Sequence, residues 1–196
     1  MSKIKLALNS QGDRKAIKFV VALFLLYLIF SQGNLFMNSI FSKGGKFYNQ
    51  YAAENLNYVQ GLRSALIVPS VWFIKKFGYY AIYNDSVVLV VNGPYMRINY
   101  SCLGLGVMSF LAAFVIAYPA KITDKLKIFI LGILAIYLLN VSRISLLGLL
   151  MSHFKSQRDN FKYHHEVFNV FVYICIFLIL YLWIKRVNRQ PEFTQT

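Results

Sequence analysis

The chain has 196 residues, 58% of them hydrophobic, 17% aromatic and only 14% charged, which excludes an ordinary soluble domain and points to one polytopic membrane bundle. Its formal charge of +14 comes from 21 Lys and Arg against 7 Asp and Glu. Because the basic residues stand just outside apolar runs, they fit an anionic lipid surface, and a nucleic-acid partner is set aside.

Residues 1–18 are polar and basic (Lys3, Lys5, Arg14, Lys15, Lys18), and Val20–Phe30 is continuously apolar, predicting a first span over about 17–32. Ser31-Gln32-Gly33-Asn34 offers no small-x-small cleavage site, so the segment reads as a retained helix, not a signal peptide. Residues 33–60, with Gly44-Gly45, Tyr48, Tyr51 and Tyr58, read as a water-exposed or interfacial connector. Residues 61–77 are apolar but carry Arg63, Pro69, Lys75 and Lys76. The period changes over 78–100. Val87–Val91 is mostly β-branched, and Asn84-Asp85 and Asn92-Gly93-Pro94 are turn signals on either side, predicting one or two short hairpins. Three further spans are predicted at about 102–119, 126–150 and 166–184.

The positive-inside rule fixes an orientation. The Lys121–Lys127 loop and the Lys185–Arg189 tail fall on one side, the cytoplasmic one, so Cys102, the end of the third span and His165 face outward. With a basic N-terminus also inside, an odd number of crossings must precede residue 102. The first helix supplies one, so 61–77 is read as interfacial or re-entrant. The expected fold is an all-α integral membrane bundle of about four spans, with an interfacial helix and a small extracytoplasmic β-hairpin.

Three polar residues then fall at one depth. Arg143 lies 17 residues past Leu126, so about 26 Å along its helix, close to the roughly 30 Å of bilayer hydrocarbon. That is the outer level already assigned to Cys102 and His165. Cys102 at the mouth of a helix meets N–H groups that favour a thiolate. An arginine beside it can stabilise that charge or an oxyanion, and a histidine can move the proton of a thiol acyl transfer. Asn140, one turn before Arg143, can orient it, and Glu166 can tune His165. Each residue also has a plainer reading. Arg143 can snorkel to the headgroups, Gly104 and Gly106 can serve close helix packing, and His164, His165 and His153 can be interfacial loop residues. With Asp159 and Glu166 the histidines can also bind a metal, but their spacing matches no tight ligand pattern. Cys175, about 15 Å into its own helix, reads as a small core hydrophobe, so no disulfide is expected.

The ordered set Cys102-Leu103-Gly104, Asn140-Val141-Ser142-Arg143 and His165 resembles the exosortase/archaeosortase family of membrane cysteine transpeptidases, in its compact form, over roughly residues 60–185. Two positions depart from the family pattern. Leu103 stands where Ser or Asn is frequent, and neither His164 nor His165 is followed four residues later by glycine, which leaves the choice between them open. The resemblance implies a single domain, with residues 1–60 as N-terminal span and connector, 61–185 as catalytic core and 186–196 as cytoplasmic tail. It implies an enzyme of the bacterial cytoplasmic membrane with its site on the extracytoplasmic face. Cys102 would attack the C-terminal sorting signal of an exported protein, Arg143 would stabilise the oxyanion and His165 would carry the proton. The thioester would pass to an acceptor tied to polysaccharide or lipid, with no metal or organic cofactor. Residues 78–100 would form a wall for the recognition motif. Two other classes compete: a non-enzymatic scaffold for surface export, and a small transporter. The transporter is disfavoured because no acidic residue falls at mid-span.

Overall fold

The computed structural model describes residues 11–154 and 164–189, with side chains from Gly12 and again from Phe168. Helix α1 (Gln11–Phe41) leads to a short α2 (Gln50–Asn55) and to α3 (Tyr58–Lys76). Three strands follow, β1 (Ala81–Tyr83), β2 (Val87–Val90) and β3 (Tyr95–Arg97), then a 3-10 turn (Tyr100–Leu103). Helices α4 (Leu105–Ala117), α5 (Ile122–His153) and α6 (His164–Val187) complete the bundle.

Among the described residues, three helices are long and apolar enough to cross a membrane: Gly12–Phe41, Ile122–His153 and Phe168–Val187. Their outward faces carry Phe24, Leu25, Ile29, Leu131, Leu134, Leu138, Ile174, Phe177 and Leu178, all exposed. On α5 the polar Asn140, Arg143, Ser145 and Ser152 are buried instead. Apolar outside and polar inside is the reverse of a soluble helix and suits hydrocarbon.

Helix α1 is longer than its apolar run predicts. Its 31 residues make about 46 Å, and it continues through Gly33 and Asn34 into the expected connector. Tertiary contacts hold that extension. Asn34 Nδ2 donates to Ser109 Oγ (3.0 Å), the Tyr58 hydroxyl donates to Asn34 Oδ1 (2.6 Å), and Phe41 is buried. Together they outweigh the roughly 1 kcal/mol that a helical glycine costs relative to alanine. The rest of the connector is exposed or half-buried apart from Val59, which enters the core, and α2 buries no residue.

Helix α4 is shorter than its predicted span. Its 13 residues make only about 20 Å, because Gly104 (φ 74°) breaks the helical path and leaves Tyr100–Leu103 as a separate turn. Helix α3 is not among the membrane-crossing helices. The Tyr137 hydroxyl donates to the Ala65 carbonyl (3.0 Å), Ser70 Oγ donates to Val141 O (3.3 Å), and Ile74 fits against Gly148. These contacts advance in the same sense along both helices, so α3 runs parallel to α5 and covers only its C-terminal half. Set alongside α5, it runs along the bundle axis rather than lying flat across it as a helix in the interface would.

The sheet is an antiparallel meander in the order β1-β2-β3, so two hairpins form where one or two were expected. Asn84 Oδ1 accepts from the N–H groups of Ser86 and Val87 to make the first turn, and Asn92 (φ 59°) with Gly93 makes the second. Val88, Val90 and Met96 point into the core while Leu89 and Tyr95 face out. Met96 reaches Gly148 and the turn at Gly93 lies against Ser152, which seats the sheet on the C-terminal end of α5.

Two apolar cores result. One fills the space between α3, the sheet, the 3-10 turn and α5 (Leu66, Ile74, Val88, Leu103, Ile144). The other joins α4, α5 and α6 (Leu111, Ile136, Ile176, Leu180, Trp183). Helix α1 lies antiparallel on α4 through edge-on pairs of Phe19 with Phe114 (5.6 Å) and Tyr27 with Phe110 (6.4 Å). Cys102 lies in the first core and Arg143 close by, at the end of the bundle under the sheet.

Candidate active site

The route from β3 to the cysteine is short. After Arg97 the chain passes Ile98 and Asn99 and turns, with the Cys102 N–H donating to the Asn99 carbonyl (3.0 Å). Gly104 then takes the left-handed conformation that L-residues with a Cβ avoid. A Cβ there would lie 2.7 Å from Asn140 Nδ2 and 3.0 Å from Ile136 Cγ2, so the turn presses directly on α5. Cys102 itself is 5% exposed. Since α4 begins at Leu105, three residues later, the electropositive group in contact with the thiol is a side chain and not a helix end.

That side chain is Arg143. Its Nη2 lies 3.6 Å from Cys102 Sγ, within hydrogen-bonding range of sulfur, and its Cζ lies 5.4 Å from the Phe168 ring centroid. At 7% exposure it is held between thiol and ring rather than snorkelling to the bundle edge. Asn140 is also buried. Its Nδ2 donates to the Ile136 carbonyl (2.8 Å) and its side chain lies against Gly104, so it braces the cysteine turn from one helical turn below Arg143. His164, His165 and Glu166 open α6, one turn before Phe168, but their side chains lie outside the described residues, as does Asp159. Among the described residues, no group of three or more His, Cys, Asp or Glu could hold a metal ion. Neither Cys102 nor Cys175, half-buried in α6, is in a disulfide.

Two cavities flank the cysteine turn. One, of about 250 Å3, is lined by Cys102 and Arg143 with Tyr95, Met96, Ile144, Leu147 and Met151. Strand β3 therefore walls the thiol's cavity, with Tyr95 68% exposed at its rim. The other, of about 540 Å3, lies across residues 97–99 and is lined by Lys43, Gln60, Arg63, Asp85, Arg97 and Tyr100, among others. Arg63 Nη1 donates to Gln60 Oε1, while its Nε is buried with no hydrogen-bond partner among the described residues. Burial holds the Arg63 guanidinium below its usual range; Asp85 and Cys102 oppose this, and Arg97 adds to it. Burial likewise raises the Tyr100 hydroxyl. Arg63, Arg97 and Phe168 carry no role in the sequence reading. Only Arg63 left a signal, as a cation interrupting an apolar segment.

Fold and site together define an integral membrane helical bundle that buries a thiol–guanidinium pair beneath a small sheet. The family described as transmembrane exosortase (Exosortase_EpsH) matches residues 10–182, a range that holds every residue of this site, and the chain belongs to that family. Membership sets a membrane sorting and transpeptidase role in general terms. No curated protein and no solved structure matches the chain.

Proposed function

We propose that the chain is a membrane-embedded cysteine transpeptidase that cleaves C-terminal sorting signals of exported proteins at the extracytoplasmic face of the bacterial cytoplasmic membrane. The observation that carries this reading is the 3.6 Å approach of the buried Arg143 guanidinium to Cys102 Sγ at the edge of a cavity. Sγ attacks the scissile carbonyl carbon, and the negative charge moves to the carbonyl oxygen beside Arg143. Collapse breaks the C–N bond, and the leaving amine takes the proton that the thiol gave up. The group that carries this proton is His165, or its neighbour His164, from the first turn of α6. The thioester then passes to a surface acceptor. Supporting this assignment, Phe168 lies over Arg143 one turn beyond both histidines, so the start of α6 is tied to the guanidinium.

Trapping tests the reading. The full chain is expressed with a tagged candidate substrate, and a thiol-sensitive covalent adduct on Cys102 is sought. The adduct is expected in the wild type, absent in Cys102→Ala and lost in Arg143→Ala while the protein still inserts. His164→Ala and His165→Ala identify the proton carrier by which one blocks or accumulates the adduct. Full sorting in Cys102→Ala, with no adduct under any condition, would overturn the enzyme in favour of the scaffold.

A further inference from the structure

Resting on that reading, we infer that the 540 Å3 cavity beyond residues 97–99 is the acceptor site, and that it binds a phosphate-bearing polar group such as a glycerophosphate. A transfer enzyme must hold two substrates at one reactive atom, and this fold places two cavities on the two sides of one short segment. Arg97, Ile98 and Asn99 line both, and the Asn99 carbonyl holds the Cys102 N–H (3.0 Å).

The two cavities differ in chemistry. The thiol side is walled by Met96, Ile144, Leu147 and Met151, with Arg143 at the thiol and Arg97 shared between the cavities, suited to an extended peptide with apolar flanks. The other side carries two cations of its own, Lys43 and Arg63, and shares Arg97, against one carboxylate, Asp85, with amide and hydroxyl groups between them. That excess of two positive charges fits the −1 to −2 of a phosphate ester. Guanidinium forks match phosphate oxygens in pairs, and the amides suit the hydroxyls of a polyol. A side-chain carboxylate of a peptide would be satisfied by one guanidinium and would leave the others unmatched. Arg63 adds an independent sign. Its Nε is buried at this cavity with no partner among the described residues, and the group interacts electrostatically with Cys102, so an anion bound here stands next to the reactive turn. In the transfer step a hydroxyl or amine of the bound acceptor forms a bond to the thioester carbon. The C–S bond breaks, its electron pair returns to Sγ, and the acceptor's proton ends on the thiol.

Binding is measured on the full-length Cys102→Ala protein in neutral detergent, where no turnover occurs, with three soluble probes: glycerol phosphate, inorganic phosphate and dihexanoyl phosphatidylglycerol. Saturable binding of at least one is expected, weakened tenfold or more by Arg63→Gln and by Arg97→Gln and unchanged by Lys75→Gln at the far end of α3. Arg63→Lys should recover part of it, and Arg97→Gln decides the matter if Arg63→Gln fails to fold. Tighter binding of the short-chain lipid than of glycerol phosphate assigns the source to a headgroup; the reverse assigns it to a soluble phosphate. Binding that ignores both arginines, or no binding to folded protein, overturns the proposal. Stronger displacement by a blocked glutamate peptide than by phosphate also overturns it and gives the cavity to peptide recognition. Adduct formation on Cys102 is scored separately in the wild type, so a failed thioester would sink the proposed function without touching the binding result.

Discussion

Gly104→Ala isolates the device that positions Cys102. The residue sits at φ 74°, where an L-residue with a Cβ costs about 1–2 kcal/mol. The new methyl would stand 2.7 Å from Asn140 Nδ2 and 3.0 Å from Ile136 Cγ2. Neither neighbour can swing away freely, since Asn140 is bonded to its own helix and Ile136 is fully buried, so overpacking adds about 1–3 kcal/mol. A loss of roughly 2–5 kcal/mol is large against the 5–15 kcal/mol that holds a typical protein folded. If part of it is relieved by moving the turn, Cys102 moves with it, and a shift of about 1 Å at a reacting atom costs on the order of 10²-fold in rate. Gly106 is the internal control. It lies two residues on, in α4, and a methyl added there would meet no atom within 4 Å and no backbone strain, so Gly106→Ala should stay within about 1 kcal/mol of the parent. Unfolding in detergent and the rate of adduct formation on Cys102 are the assays. Equal losses in the two variants, or a Gly104→Ala protein as stable and reactive as its parent, would refute the reasoning.

Three further outcomes follow from the packing. Arg143→Lys keeps the charge but cannot both reach sulfur and lie flat on Phe168, so adduct formation should fall at least 100-fold with helical circular dichroism unchanged. Val90 is 1% exposed and Tyr95 68%, so Val90→Asp should unfold the sheet and lose expression, while Tyr95→Asp should fold and weaken processing of a tagged substrate. Asn34→Ala breaks the links from α1 to Ser109 and Tyr58 and should cost about 1–3 kcal/mol in detergent unfolding.

Much of the arrangement was legible in the sequence because membrane physics writes in lengths and charges. Apolar runs marked α1, α5 and α6, turn residues marked both hairpins, and counting residues from Leu126 put Arg143 level with Cys102, where a 3.6 Å contact is found. What stayed hidden depends on contacts between distant residues. Nothing local says that α1 continues past Gly33; Ser109 and Tyr58, far along the chain, hold it. Nothing local says that Gly104 must be left-handed, which is why α4 begins three residues after the cysteine and not at it. Arg63 looked like a blemish in an apolar segment because the cavity it lines is built from α1, α3 and the sheet together. Phe168 left no signal in the sequence, since only the fold brings it over Arg143.

The contact of Phe168 with the Arg143 guanidinium has a consequence for how the molecule is made. Synthesis runs from the N-terminus, so Cys102 emerges first, Arg143 some forty residues later, and Phe168 with the last helix. Until that helix inserts, the guanidinium beside the thiol has an open side where the ring belongs. The ribosome thus delivers the cysteine early and the arginine's aromatic cover last, and a chain stopped short of α6 carries both residues without the ring that packs on the guanidinium.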